Sequence, residues 1–136
     1  MEKSQGGEDA KVKAAAKAIK IGDIREIKCF ASPPKPVTHL LTAVLFLLGK
    51  SAREAKEWHE SQKMLANPNF LQLITSLEAQ SVDAEAANQA KEWIKDYTEA
   101  SIKKISAGCS GLLRWVCAVI EAVESRGGDS PSTETM

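Results

Sequence analysis

With 136 residues, the chain holds one domain of ordinary size and has no length for a second independent core. Its 18 basic and 18 acidic side chains cancel, which removes any bulk attraction to nucleic acid and leaves recognition of a charged partner to local patches. The three cysteines, Cys29, Cys109 and Cys117, show no CxxC pair and no histidine at ligand spacing. An odd count without a signal peptide argues against a disulfide framework and for a reducing, intracellular setting. The longest apolar run, Leu40 to Leu48, falls far short of the roughly 20 residues that span a bilayer, so no membrane span is predicted.

In chain order, residues 1–9 (MEKSQGGED) and 125–136 (SRGGDSPSTETM) are rich in polar and small residues, lack periodicity and read as unordered ends. The stretch AKVKAAAKAIKIGDIREIKCF is rich in Ala, Lys and Ile and reads as a first helix with a weak point at Gly22, which costs roughly 1 kcal/mol relative to Ala. That helix must end near Phe30. Ser32 offers a capping oxygen for the next one, Pro33 or Pro34 suits its first turn, and each proline disfavours helical geometry in the residue before it. The second helix carries Val37, Leu40, Leu41, Val44, Leu45 and Leu48 at three-four spacing. Ala43, Phe46 and Leu47 widen its apolar stripe almost to the full circumference, which puts it at the centre of the domain, and Gly49 closes it.

A polar helix follows from Ser51 to Leu65 with Trp58 as its apolar anchor. Asn67-Pro68 then opens a short helix through Phe70, Leu71, Ile74 and Leu77, and another runs from about Asp83 to Tyr97. Thr98 caps the last helix, in which Ile102, Ile105, Cys109, Leu112, Val116, Val119 and Val123 keep a three-four seam. Gly108 and Gly111 inside that seam call for close packing or a bend. No stretch sustains period-two alternation, and the fold class is all-α. Antiparallel packing of residues 10–31 against 112–124 makes a short coiled-coil stem with a small helical bundle on it, residues 10–124 forming one unit.

These residues resemble a known module, the microtubule-binding domain at the tip of the dynein heavy-chain stalk. Its incoming stalk helix ends in a pattern resembling I-K-x-x-x-I/L-x-E-V/I-R/K, followed by two prolines and an apolar helix closed by L-L-G. Here the chain reads Ile19-Lys20, Ile24, Glu26-Ile27-Lys28, Ser32-Pro33-Pro34, Val37 and Leu47-Leu48-Gly49. Downstream, Trp58, Asn67-Pro68-Asn69-Phe70 and the run from Ser106-Ala107-Gly108-Cys109 to Arg114-Trp115-Val116-Cys117-Ala118 are similar to the tryptophan helix, the helix start and the return helix of that family. The resemblance covers residues 18–122 in consistent order. It departs at Thr38, where the family has a lysine, although Lys35 and His39 lie beside it, and at Ala100, where the family has an acidic residue, with Glu99 adjacent. Lys104 keeps the family's basic position before the cysteine, with Lys103 next to it.

The resemblance implies a docking head for tubulin and microtubules, monomeric and without cofactor, metal or catalysis of its own, in the cytoplasm and cytoskeleton, including the ciliary axoneme. Lys35, His39, Lys103, Lys104 and Arg114 are the candidate contact or support positions, and Pro33 and Pro34 a hinge that lets the stem slide while the central helix tilts separately. Taken without the resemblance, the lysines are solvated helix faces, the prolines are punctuation, the three tryptophans are core, and Cys109 and Cys117 are small buried hydrophobes. A helical adaptor that binds a partner coiled coil is the competing reading, and an enzyme rests on no visible constellation of residues.

Overall fold

A computed structural model describes residues 2–127, and side chains for residues 10–125. The described backbone forms α1 (Glu2–Ala18), α2 (Ile21–Lys28), α3 (Lys35–Leu47), α4 (Ala52–Ala55), α5 (Trp58–Ala66), α6 (Phe70–Ser76), a 3-10 turn at Ala79–Ser81, α7 (Ala84–Ile94), α8 (Glu99–Lys103) and α9 (Ala107–Gly127). No strand occurs among the described residues, so the all-α class holds. Helix α9 is the axis: α1 and α2 lie against it, α7, α8, α3 and the 3-10 turn cover its other sides, and α6 flanks α1. Lys91 of α7 reaches Glu124 of α9 at 2.6 Å, and Lys13 of α1 donates to the Thr75 carbonyl of α6 at 3.2 Å.

The apolar circumference of α3 buries as its sequence demands, with Val37, Leu40, Leu41 and every residue from Thr42 to Leu47 in the interior. Each fully buried leucine there contributes about 1.5–3 kcal/mol over an exposed one. The helix ends at Gly49, whose φ of 94° admits the left-handed turn that lets Lys50 N–H reach the Leu45 carbonyl and Gly49 N–H the Phe46 carbonyl, both at 3.0 Å.

Several boundaries differ from the expectations. The first helix is broken at Ile19-Lys20 and not at Gly22. The Asp23 carboxylate accepts the Lys20 N–H at 2.8 Å, holding Lys20 extended and starting a new helix in which Gly22 meets open space. Ser32 caps nothing. Pro33 and Pro34 keep the chain extended, Pro34 itself precedes the helix with its carbonyl accepting from Val37 and Thr38, and Pro36 is the proline in the first turn.

The polar helix splits at Lys56-Glu57 into α4, capped by Ser51 and Glu54, and α5, so that Ala55 and Trp58 both meet the core. Asn67 forms a side-chain turn with the Asn69 N–H at 2.8 Å, which delays α6 to Phe70. Thr98 caps α8 and not the last helix; a turn at Lys104-Ile105 intervenes, and Ile105 drops out of the seam at 37% exposure.

The backbone is already helical at Glu2, where an unordered end was expected, because extending a docked helix costs far less than nucleating one. At the other end α9 continues to Gly127, and the rest of the expected unordered segment lies outside the described residues.

Candidate functional site

Two of the stretches that carry the resemblance, Ile19–Lys28 and Ser106–Ala118, meet at one joint, where α2 crosses the first turn of α9. A Cβ on Gly108 would stand 3.0 Å from the Asp23 carbonyl oxygen and 3.1 Å from Asp23 Cα, so the two backbones touch and any side chain here would push α2 back by a few tenths of an ångström. Gly111 has open space and carries no such constraint. Beside this contact, Ser106 acts twice. Its Oγ accepts the Cys109 N–H at 3.2 Å, capping α9, and donates to Glu26 Oε2 of α2. Glu26 and Ser106 stand 80 positions apart, and one hydroxyl ties the end of the incoming helix to the start of the outgoing one.

The thiol next to this joint is chemically quiet. Burial pushes Cys109 up to about 11, the Glu26 charge adds to the rise, and the Ser106 hydrogen bond opposes it. Burial also raises Cys117, with Glu121 and Glu99 adding to it. Both are small core residues and not nucleophiles. Trp115 is fully buried in α9, while Trp58 and Trp93 pack at the edge of the core, as core aromatics. No group of metal-ligating side chains gathers among the described residues.

The predicted contact residues fall into two sets. Lys35, in the first turn of α3, and Lys103 and Lys104, at the end of α8, are exposed, and no ion pair holds any of them among the described residues. His39 and Arg114 are held by partners. His39 is half-buried between α3 and α7: Nδ1 lies 2.9 Å from the Tyr97 hydroxyl, and the ring meets Trp93 edge-on at 4.9 Å. It is thus held by a partner, unlike the three lysines. Desolvation lowers its pKa below the ordinary 6.5, nearby Lys35 lowers it further, and Asp96 opposes the shift. Arg114 on α9 places Nη2 and Nε at 2.9 and 3.2 Å from Glu99 Oε1 of α8, which orients α8 on the axis.

Tyr97 immediately precedes Thr98, the cap of α8, whose Oγ1 accepts the Ser101 N–H at 3.0 Å. The His39–Tyr97 contact thus ties the first turns of α3 to the root of α8, the short helix whose far end bears Lys103 and Lys104. Sequence reasoning missed Tyr97 and Asp23. Tyr97 carries no motif, and the only local signal for Asp23 is its place three residues after Lys20, the spacing of a capping carboxylate. Pro33 and Pro34 lie in the link between α2 and α3, which bends at Ala31 and Ser32.

No family model matches the chain. Among curated proteins it is 31% identical over 108 residues, 78% of its length, to the dynein-1-beta heavy chain of the flagellar inner arm I1 complex of Chlamydomonas reinhardtii. It is 26% identical over 99 residues, 71% of its length, to the dynein axonemal heavy chain 6 of Homo sapiens, and 27% over 108 residues, 76% of its length, to the cytoplasmic dynein heavy chain of Dictyostelium discoideum. The chain spans about 2% of the length of each of these relatives. It is similar to a segment of dynein heavy chains.

Proposed function

We propose that this chain, similar to a segment of dynein heavy chains, is a microtubule-docking head of the stalk-tip type, cytoskeletal in location and without catalysis of its own. The joint between α2 and α9 carries the reading. Glu26 and Ser106 belong to the two separate stretches that resemble the incoming and returning stalk helices, and they bond to each other beside the close backbone contact at Gly108. A joint of this kind is where sliding of one stem helix past the other changes the seating of the head.

Tubulin presents an acidic surface, so unpaired cations are the chemistry that docks on it. Lys35, Lys103 and Lys104 are such cations. Arg114 with Glu99, and His39 with Tyr97, support the elements that bear them. Pro33 and Pro34 are the hinge that uncouples the tilt of α3 from the stem.

The test is co-sedimentation with stabilised microtubules across a salt series, comparing the native chain with a Lys103→Glu/Lys104→Glu variant. Exposed charges are screened over about 10 Å at 0.1 M salt, so binding is expected to weaken steeply with salt and to vanish in the reversed variant. Absence of binding at low salt overturns the docking reading.

A further inference from the structure

We propose that Ser32 is a phosphorylation site for a proline-directed serine/threonine kinase, and that its phosphate pairs with Lys35 at the head of α3. Ser32 was expected to cap α3, and the structure leaves it free of that duty: it is exposed, and its hydroxyl has no hydrogen-bond partner among the described residues. Ser51, Thr98 and Ser106 are by contrast held in helix caps.

The backbone around Ser32 is equally unengaged. Among the described residues neither the Ala31 nor the Ser32 N–H donates to another backbone group, and Pro33 and Pro34 have no N–H to donate. The chain bends at Ala31 and Ser32, in a link with no helical bonds of its own to hold it, and Pro34 is extended with φ −68° and ψ 161°. A kinase cleft takes its substrate as an extended strand. Straightening residues 31–33 into one breaks no backbone hydrogen bond among the described residues; the first engaged carbonyl is that of Pro34, which accepts from the Val37 and Thr38 N–H groups at the start of α3. Pro33 supplies the residue after the acceptor that defines the proline-directed class, and Lys35 supplies a cation three positions on.

In the transfer, Ser32 Oγ attacks the γ-phosphorus of kinase-bound ATP. The bond from that phosphorus to the bridging oxygen breaks, ADP leaves, and the kinase base takes the hydroxyl proton. The product carries a charge of about −1.5 to −2 at neutral pH. It lands just ahead of a thirteen-residue helix whose first turn contains no acidic side chain, so no like charge repels it there. Lys35, exposed and in no ion pair among the described residues, lies three residues away, within about 10 Å along even an extended chain. Pairing removes Lys35 from the set of free cations and puts negative charge in its place. Resting on the docking reading, the consequence is weaker attachment to an acidic filament.

The experiment uses the full chain with a purified cyclin-dependent kinase and ATP, with the modified residue located by mass spectrometry. That assignment is necessary because the sequence holds a second Ser-Pro dipeptide at Ser130-Pro131. One phosphate at Ser32 is expected, absent in Ser32→Ala and reduced at least tenfold at that site in Pro33→Ala, which keeps the serine and the other prolines. Circular dichroism checks that both variants fold. No phosphate at Ser32, or equal incorporation in folded Pro33→Ala, overturns the site.

The phosphorus-31 titration of the product tests the pairing. Its midpoint is expected to rise in Lys35→Gln, and an unchanged midpoint overturns the pairing. Co-sedimentation of the phosphorylated and unmodified chains is expected to differ several-fold, and equal binding overturns the regulatory consequence. An unmodified chain that ignores microtubules sinks the docking reading alone, because incorporation and titration still decide Ser32.

Discussion

Adding one methyl group at Gly108 and one at Gly111 should move stability in opposite directions, although both glycines lie in the same helix three residues apart. Alanine is the better helix former by up to about 1 kcal/mol, so in open space at Gly111 the substitution stabilises by about 0.5–1 kcal/mol. At Gly108 the new Cβ would meet Asp23 at 3.0 Å from its carbonyl oxygen and 3.1 Å from Cα and Cβ. The nearest atoms are backbone and have no rotamer by which to withdraw. Overpacking of this kind costs about 1–3 kcal/mol, and the propensity gain is smaller in a first turn, which leaves a net loss of about 1–2 kcal/mol.

The two variants therefore differ by about 2 kcal/mol. In a domain of this size that separates their melting midpoints by about 6–10 °C. Far-UV circular dichroism follows the helices, and tryptophan fluorescence, to which the buried Trp115 contributes with Trp58 and Trp93, follows the core during the same thermal and urea unfolding. A Gly108→Ala protein as stable as Gly111→Ala would refute the close crossing of α2 over α9, and with it the joint on which the functional proposal stands.

Three further outcomes are expected. Ser106→Ala removes the cap on α9 and the bond to Glu26 together, lowering stability by about 1–2 kcal/mol, read as a lower urea midpoint with an unchanged slope. Cys29, which is exposed, reacts promptly with a thiol reagent, while Cys109 reacts only as the chain unfolds. Because the folded Cys109 holds its proton up to about 11, against 9.0 for the unperturbed thiol, stability falls as pH rises from about 9 towards 11; a Cys109→Ala protein lacks that part of the fall. His39 behaves in the opposite sense. Its folded pKa lies below 6.5, so stability is lost as pH drops through the range below that value. Lys35→Gln should lessen the loss between pH 7 and 5, since Lys35 is one of the two groups of causes that depress it.

The all-helical class, the central position of α3 and the buried seam of α9 were legible from the spacing of apolar residues alone, because a helix must turn its apolar side chains inward whatever lies opposite. Gly49 as the end of α3 was legible for a similar reason: a left-handed turn is a local requirement that glycine meets without steric cost. The close packing required at one of the two α9 glycines was visible as a need but not as a place, since only the arrival of Asp23 separates Gly108 from Gly111.

Other features depended on pairs of groups far apart in the chain. Ser32 and Thr98 had equal local claims to cap a helix, yet Thr98 does so and Ser32 does not, because the run of prolines moves the start of α3 to Lys35. His39 looked like one more polar residue on a helix surface, and Tyr97, 58 positions away, draws it into the interface between α3 and α7. Lys103 and Lys104 became separable from Arg114 as free cations only because Glu99 comes to lie against α9. Hydrophobic periodicity and turn chemistry are written in neighbouring residues. A polar side chain has several possible partners, and which one it takes is decided by the packing of whole helices, so the joint between Glu26 and Ser106 exists only once α2 and α9 have met.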